Sequence, residues 1–272
     1  MKVAALQMVS GVTCSDNLQR AEELIKQAAK RGAELAVLPE YFCILGRVDT
    51  DKLVVKESFG YGPIQEMLAR CAQQHKIWIV GGTLPLSVPG ELNKAFNTTL
   101  VFSPAGHCVA RYDKMHLFRF NNGVEQYDES NTLLAGELPS VFDIVSRDGC
   151  AWRIGLSICY DLRFPELYRT LTDLGAELIL VPSAFTHTTG AAHWEVLLRA
   201  RAVENQVWVL AAAQGGVHEN ARKTWGQSMI INPWGQIVSE LPTGPGCSVF
   251  DIDKDELKRI RGNLPALEHR RL

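Results

Sequence analysis

Short runs of consecutive apolar residues, separated by stretches of helical period, constrain this chain more than any other feature. Val3 to Met8, interrupted by Gln7, is the first such run and Leu35-Ala36-Val37-Leu38 the second; the second is apolar at every position, as in a strand buried on both faces. Between them Leu18, Ala21, Leu24, Ile25, Ala28 and Ala29 fall on one helical face, and Arg20, Glu23, Lys26 and Lys30 on the other. Asp16, with Gln19 following at capping-box spacing, reads as the N-cap of that helix and Gly32 as its C-terminal stop. Strand, helix and strand in this order form a parallel unit, whose sheet must be covered on both faces.

The grammar then repeats. Pro63 suits a first helical position, Ile64, Met67, Leu68, Cys71 and Ala72 make an apolar stripe, and Ile77 to Gly82 is a buried strand. Asn97 to Phe102 and Cys108 to Tyr112 flank Ser103-Pro104-Ala105-Gly106, which predicts an antiparallel hairpin. Phe120 to Pro139 is polar and glycine-bearing, a long loop of the kind that carries function. Further on, strands are expected at Val141 to Val145, Trp152 to Ile158, Leu178 to Val181, Val207 to Ala212 and Ser248 to Ile252, with a hairpin over Met229 to Val238. Helices are expected from Pro165 to Leu174 and from Trp194 to Asn205. No linker composition divides the chain, so residues 1–272 read as one α/β domain of sheets covered by helices, with a C-terminal tail from about residue 253.

Charge narrows the partners. A net charge of -2 without a basic face argues against nucleic acid or an anionic membrane and for a small-molecule substrate. The 7 cysteines are scattered singly, with no C-x-x-C pair, which points to a reducing compartment. The chain enters its first strand without a leader, and no apolar run approaches membrane-spanning length; the expectation is a soluble cytoplasmic protein. His116 and His187 lack metal-ligand spacing to other His or Cys, so no metal or organic cofactor is expected.

Three chemically capable side chains share one structural place, the C-terminal end of an expected strand: Glu40, Lys114 and Cys159. In α/β sheets, sites assemble along that edge. Taken alone, Cys159 reads as a small buried hydrophobe, Glu40 as a turn residue and Lys114 as a solvated strand end. Together they form a working set for cleaving an amide. A thiol just before a helix start lies near positive dipole and free N–H groups, which favour a thiolate. A carboxylate can take the thiol proton and return it to the leaving amine, and an ammonium can hold the oxyanion. The backbone N–H of Tyr160 is a second oxyanion donor in this reading.

Pro39-Glu40-Tyr41-Phe42, Asp113-Lys114-Met115-His116-Leu117-Phe118 and Ile158-Cys159-Tyr160-Asp161-Leu162-Arg163-Phe164-Pro165-Glu166 resemble, in order, the three signature motifs of the nitrilase superfamily of carbon-nitrogen hydrolases. The resemblance runs from the first strand to at least Ile252. It implies a four-layer α-β-β-α sandwich, a homodimer, Glu40 as general base, Lys114 as oxyanion stabiliser and Cys159 as the nucleophile that forms a thioester. It also implies a second site glutamate after the lysine motif, matched better by Glu129 than by Glu125.

Within the superfamily the chain is most similar to the Nit amidases, which cleave amides of small carboxylate-bearing molecules. By that likeness Tyr160, Arg163, Phe185 and Thr189 belong to the substrate site, and the arginine fork suits a carboxylate. Alternatively, Arg163 forms a structural ion pair with Asp161 or Glu166. His193 to Ala202 and Ala211 to His218 look more like the deaminated glutathione amidases than the ω-amidases, whose substrates resemble α-ketoglutaramate. An ω-amidase remains the alternative, and a catalytically silent metabolite-binding scaffold a more remote one.

Overall fold

The computed structural model describes residues 1–271. In chain order, the first sheet is built from β1 (Lys2–Gln7), β2 (Leu35–Val37), β3 (Trp78–Val88), β4 (Glu91–Phe102) and β5 (Cys108–Asp113). The second is built from β6 (Ser140–Val145), β7 (Ala151–Leu156), β8 (Leu178–Ser183), β9 (Trp208–Ala213), β10 (Met229–Ile231) and β11 (Ile237–Glu240). The chain then returns to the first sheet as β12 (Gly246–Asp251), antiparallel to β1.

The helices are α1 (Cys14–Lys30), α2 (Pro63–His75), α3 (Pro165–Asp173), α4 (His187–Asn205) and α5 (Lys254–Asn263). Strand alternation sets the layers. Val3 and Ala5 of β1 point into the core between the sheets with Val80, Val101, Leu156 and Leu180, while Ala4 and Leu6 face Leu24, Ile25 and Ala28 of α1 and Leu68 of α2. The second sheet is covered by Leu167 and Leu171 of α3 and Trp194, Leu198 and Ala202 of α4. The result is helices, sheet, sheet, helices: the α-β-β-α sandwich. Each fully buried leucine or isoleucine in these layers contributes roughly 1.5–3 kcal/mol of transfer free energy.

The topology brings three strand ends to one edge. β1, β2 and β3 run parallel, and two antiparallel reversals through β4 point β5 the same way. In the second sheet β7, β8 and β9 are parallel. Met8, just past β1, pairs in parallel with Gln214, just past β9, so both sheets end at the same edge.

The structure differs from the sequence expectations at four places. α1 starts at Cys14 with Thr13 at the cap, and Asp16 lies in its first turn; Asn17 is buried and holds both Gly11 and the Cys43 carbonyl, which pulls the helix start inward. α4 begins at His187, where the Thr186 hydroxyl accepts from Thr189 N at 3.2 Å, so the helix gains two turns ahead of the expected Trp194. The stretch from residue 120 to 139 contains short strands, Arg119–Asn121 paired with Gln126–Asp128 and Leu133–Leu134 beside β4. Beyond residue 253 the chain forms α5, with Leu257 and Ile260 buried, rather than a tail.

Candidate active site

Glu40 stands three residues beyond β2, and the turn that presents it is tightly held. Tyr41 adopts φ 56°, its N–H donates to Thr83 Oγ1 at 2.8 Å, and Gly82 packs under the preceding peptide. A Cβ at Gly82 would lie 2.0 Å from the Pro39 oxygen, so only glycine lets β3 pass this close. Lys114 follows β5, its N–H donating to the Asn97 carbonyl at 2.9 Å. β5 is an edge strand and half exposed, yet Lys114 itself is fully buried, because the loop carrying Glu129 folds over it.

Cys159 opens a 3-10 turn, Cys159–Arg163, between β7 and α3. Its φ of 49° is the left-handed conformation that a residue with a Cβ adopts at a cost of about 1–3 kcal/mol. Asp161 holds the turn there: Oδ2 accepts from Ile158 N at 2.8 Å and from Tyr112 OH at 2.7 Å, while Oδ1 faces His116 Nδ1 at 2.7 Å. His116 in turn stacks on Phe164, with ring centroids 3.7 Å apart.

Glu40, Lys114 and Glu129 form one buried chain. Lys114 Nζ donates to Glu40 Oε1 at 2.8 Å and to both Glu129 oxygens at 2.9 Å. Glu40 Oε1 also accepts from Asn97 Nδ2 at 2.9 Å, and Oε2 from Ala184 N at 2.9 Å. Glu129 is fixed by Tyr41 OH at 2.7 Å and by Phe118 N at 2.7 Å. Glu125, by contrast, accepts from Thr188 and Tyr127 and does not touch Lys114, so the carboxylate in the cluster is Glu129.

The electrostatics assign protonation states. Burial by itself would lower the Lys114 pKa, but Glu129 and Glu40 overcome it and hold the ammonium well above the ordinary lysine range. Burial pushes Glu129 up, and Lys114 with the Phe118 N–H brings it below the ordinary carboxylate value. The Cys159 thiol is pushed well up, first by burial and then by the Glu40 charge, with Lys114 only partly offsetting this. The resting group is therefore a thiol, not the thiolate expected from a helix start: desolvation outweighs the dipole.

The thiol faces a small cavity of about 10 Å3, room for about one water, lined by Phe118, Cys159, Tyr160, Arg163, Phe185 and Thr189 among others. Arg163 makes no ion pair with Asp161 or Glu166. Its guanidinium lies 5.7 Å from the Tyr160 ring and 5.5 Å from the Phe185 ring, and Nη1 is 3.2 Å from His193 Nδ1. All eight site residues singled out by the sequence thus lie in the carboxylate-ammonium chain or around this cavity.

The family model for carbon-nitrogen hydrolases matches residues 2–262. The chain belongs to the carbon-nitrogen hydrolase family. It is 45% identical to the deaminated glutathione amidase of Synechocystis sp., over 98% of this chain and 97% of that protein. Its fold is similar to that of the C. elegans NitFhit protein, with a TM-score of 0.89 and 36% identity, covering 99% of this chain and 65% of that one. A mutant amidase from Nesterenkonia sp. AN1, solved with acrylamide added to its active-site cysteine, has a TM-score of 0.79 and 27% identity over 98% of this chain and 99% of its own. As a member of the family, this chain is an amide-hydrolysing enzyme.

Several residues of this hydrolase site are not singled out by sequence reasoning. Asn97, within β4, and the Ala184 N–H, one residue past β8, grip Glu40 from positions with no distinguishing pattern. Tyr41 and His116 do carry a signal, since both stand inside the signature motifs next to Glu40 and Lys114.

Proposed function

We propose that this hydrolase cleaves the amide of deaminated glutathione through a Cys159 thioester. The observation that carries the mechanism is the buried Glu40–Lys114–Glu129 cluster, whose charges act directly on the Cys159 thiol. Glu40 Oε1 is committed to Lys114 and Asn97, leaving Oε2 to take the thiol proton as sulfur attacks the carbonyl carbon. Lys114 and the Tyr160 N–H stabilise the oxyanion, each such donor being worth on the order of a hundredfold in rate. The C–N bond then breaks, with the amine leaving on the proton held by Glu40. Water, giving its proton to Glu40, hydrolyses the thioester, and that proton returns to sulfur.

Glu129 orients Lys114, and Arg163 receives the carboxylate on the acyl side of the substrate. Access to the sulfur requires Phe118, Tyr160 or Arg163 to swing aside, because the cavity admits about one water. The choice of substrate is supported by the name of the Synechocystis relative at 45% identity. Its test is kcat/KM for deaminated glutathione beside that for α-ketoglutaramate. A clear preference for the former is expected; the reverse preference makes the chain an ω-amidase using the same residues.

We also read the protein as one domain working as a cytoplasmic homodimer. Val196 and Val203 of α4 and Trp234 are large apolar side chains at least half exposed, which supports an interface on that face. Among the described residues no helix is long and apolar enough to cross a membrane. Sedimentation equilibrium measures the mass in solution.

A further inference from the structure

Two cations without an ion-pair partner among the described residues, Lys52 and Arg222, share a cavity beside the catalytic cluster. This cavity of about 470 Å3 is lined by Tyr41, Arg47, Asp49, Lys52, Tyr127 and Arg222, among others. Lys52 and Arg222 make no ion pair among the described residues, and neither does Asp49, the carboxylate of this lining. Lys52 Nζ reaches only Thr132 Oγ1, at 3.4 Å, and the face of the Tyr41 ring, at 5.2 Å. Arg222 lies 4.8 Å over the Tyr127 ring, with its Nε buried and without a hydrogen-bond partner among the described residues. Asp49 and Glu129 offset this positive charge only in part, burial still outweighing them at Lys52, and an added anion relieves the remainder.

This cavity is one layer of side chains from the thiol. Tyr41 lines it, and the Tyr41 hydroxyl donates to Glu129, which holds Lys114. Tyr41 and Leu45 on this side pack with Ala184, which lines the Cys159 cavity. The Tyr127 ring is 5.9 Å from that of Phe118, which also lines the Cys159 cavity. Arg163 serves the space around the sulfur and is separate from this second basic group. An amide substrate has two ends, and the cavity is placed to serve the end that departs. A dipeptide amine extends about 7 Å, enough to pass a single side-chain layer.

We propose that the Lys52–Arg222 cavity is the subsite for a carboxylate on the amine side of the substrate, so that the enzyme selects amides whose leaving group is an acidic-ended dipeptide rather than ammonia. The inference rests on the proposed function for its acyl half and adds the recognition of the leaving half. Lys52 and Arg222 act here as specificity residues and take no part in bond making.

The test uses full-length enzyme and two substrates with one acyl group: deaminated glutathione, and the same molecule with its C-terminal carboxylate converted to a carboxamide. Wild type is expected to prefer the free carboxylate by tenfold or more in kcat/KM, mostly through KM. In Lys52→Met and Arg222→Met that ratio falls toward one, while Arg222→Lys retains part of it. An unchanged ratio in both Met variants, or no preference in wild type, overturns the subsite. If wild type cleaves neither compound but does cleave α-ketoglutaramate, it is the proposed substrate that fails, and the subsite falls with it.

Discussion

Lys114 Nζ lies 2.8 Å from Glu40 Oε1 and 2.9 Å from both oxygens of Glu129, so one buried ammonium is shared by two carboxylates. With Cys159 neutral, the cluster carries one excess negative charge before substrate arrives. That charge belongs to the base and makes the neighbouring thiol a proton donor rather than a preformed thiolate.

Glu40→Gln tests the base. The carboxamide oxygen can still accept from Lys114 and Asn97, but its NH2 faces the Ala184 N–H, so the fold is expected to survive with a loss of about 1–3 kcal/mol and a correspondingly lower Tm. Proton transfer is lost, and kcat/KM is expected to fall by about 10²–10⁴-fold, the usual worth of a positioned base. Intact-mass spectrometry after mixing with substrate should find no acyl adduct on the variant; a normal adduct would remove Glu40 from thioester formation.

Lys114→Met separates the cation from the carboxylates, and its signature is the sign of a pH dependence. In the wild type the Glu129 pKa is lowered from 4.5, so this group's stabilisation is present above 4.5 and is lost as pH falls through its lower folded value. Without Lys114 the burial that already opposes ionisation is uncompensated and the folded pKa rises instead. The variant is expected to lose about 3–5 kcal/mol near neutral pH, as when one partner of a buried pair is removed, and to regain part of it on acidification. Urea unfolding at pH 7 and pH 5 reads the two slopes.

How much of this was legible before the structure depends on whether a residue's partners are local. The strand-helix-strand period marked the sheets, and the strand-end positions of Glu40, Lys114 and Cys159 could be read because each is marked by its immediate neighbours. Helix starts were less legible. α4 begins seven residues before the expected Trp194, since His187 to His193 carries no apolar stripe; Gly190 is there because a Cβ would sit 2.2 Å from Trp225. Lys52 and Arg222 meet only through the fold, and nothing in their neighbourhoods announces the other. The same holds for the raised thiol pKa, which comes from burial and from a glutamate more than a hundred residues away.

Cys159 itself should titrate late. Burial and the Glu40 charge hold the free thiol well above its ordinary 9.0, so alkylation of the substrate-free enzyme by iodoacetamide should keep accelerating with pH through that value instead of levelling near it. Peptide mapping of the labelled cysteine at several pH values checks this. A plateau below pH 8 would mean that the resting nucleophile is already a thiolate.

Asp161→Asn probes the support of the nucleophile turn. The carboxylate is fully buried and takes hydrogen bonds from Ile158 N, Tyr112 OH and His116 N. An asparagine keeps one acceptor oxygen and places an NH2 against groups that themselves donate, so at least one buried donor loses its partner, at a cost of about 1–3 kcal/mol. The turn it releases is the one that holds Cys159 at φ 49°, a conformation the surroundings must impose. Activity is therefore expected to fall further than stability, with kcat reduced at least tenfold while the enzyme stays folded at assay temperature. Stopped-flow measurement of the first turnover locates the loss: slowed acylation with unchanged substrate binding is the expected result. A drop in Tm with kcat intact would reduce Asp161 to a structural residue with no bearing on the nucleophile.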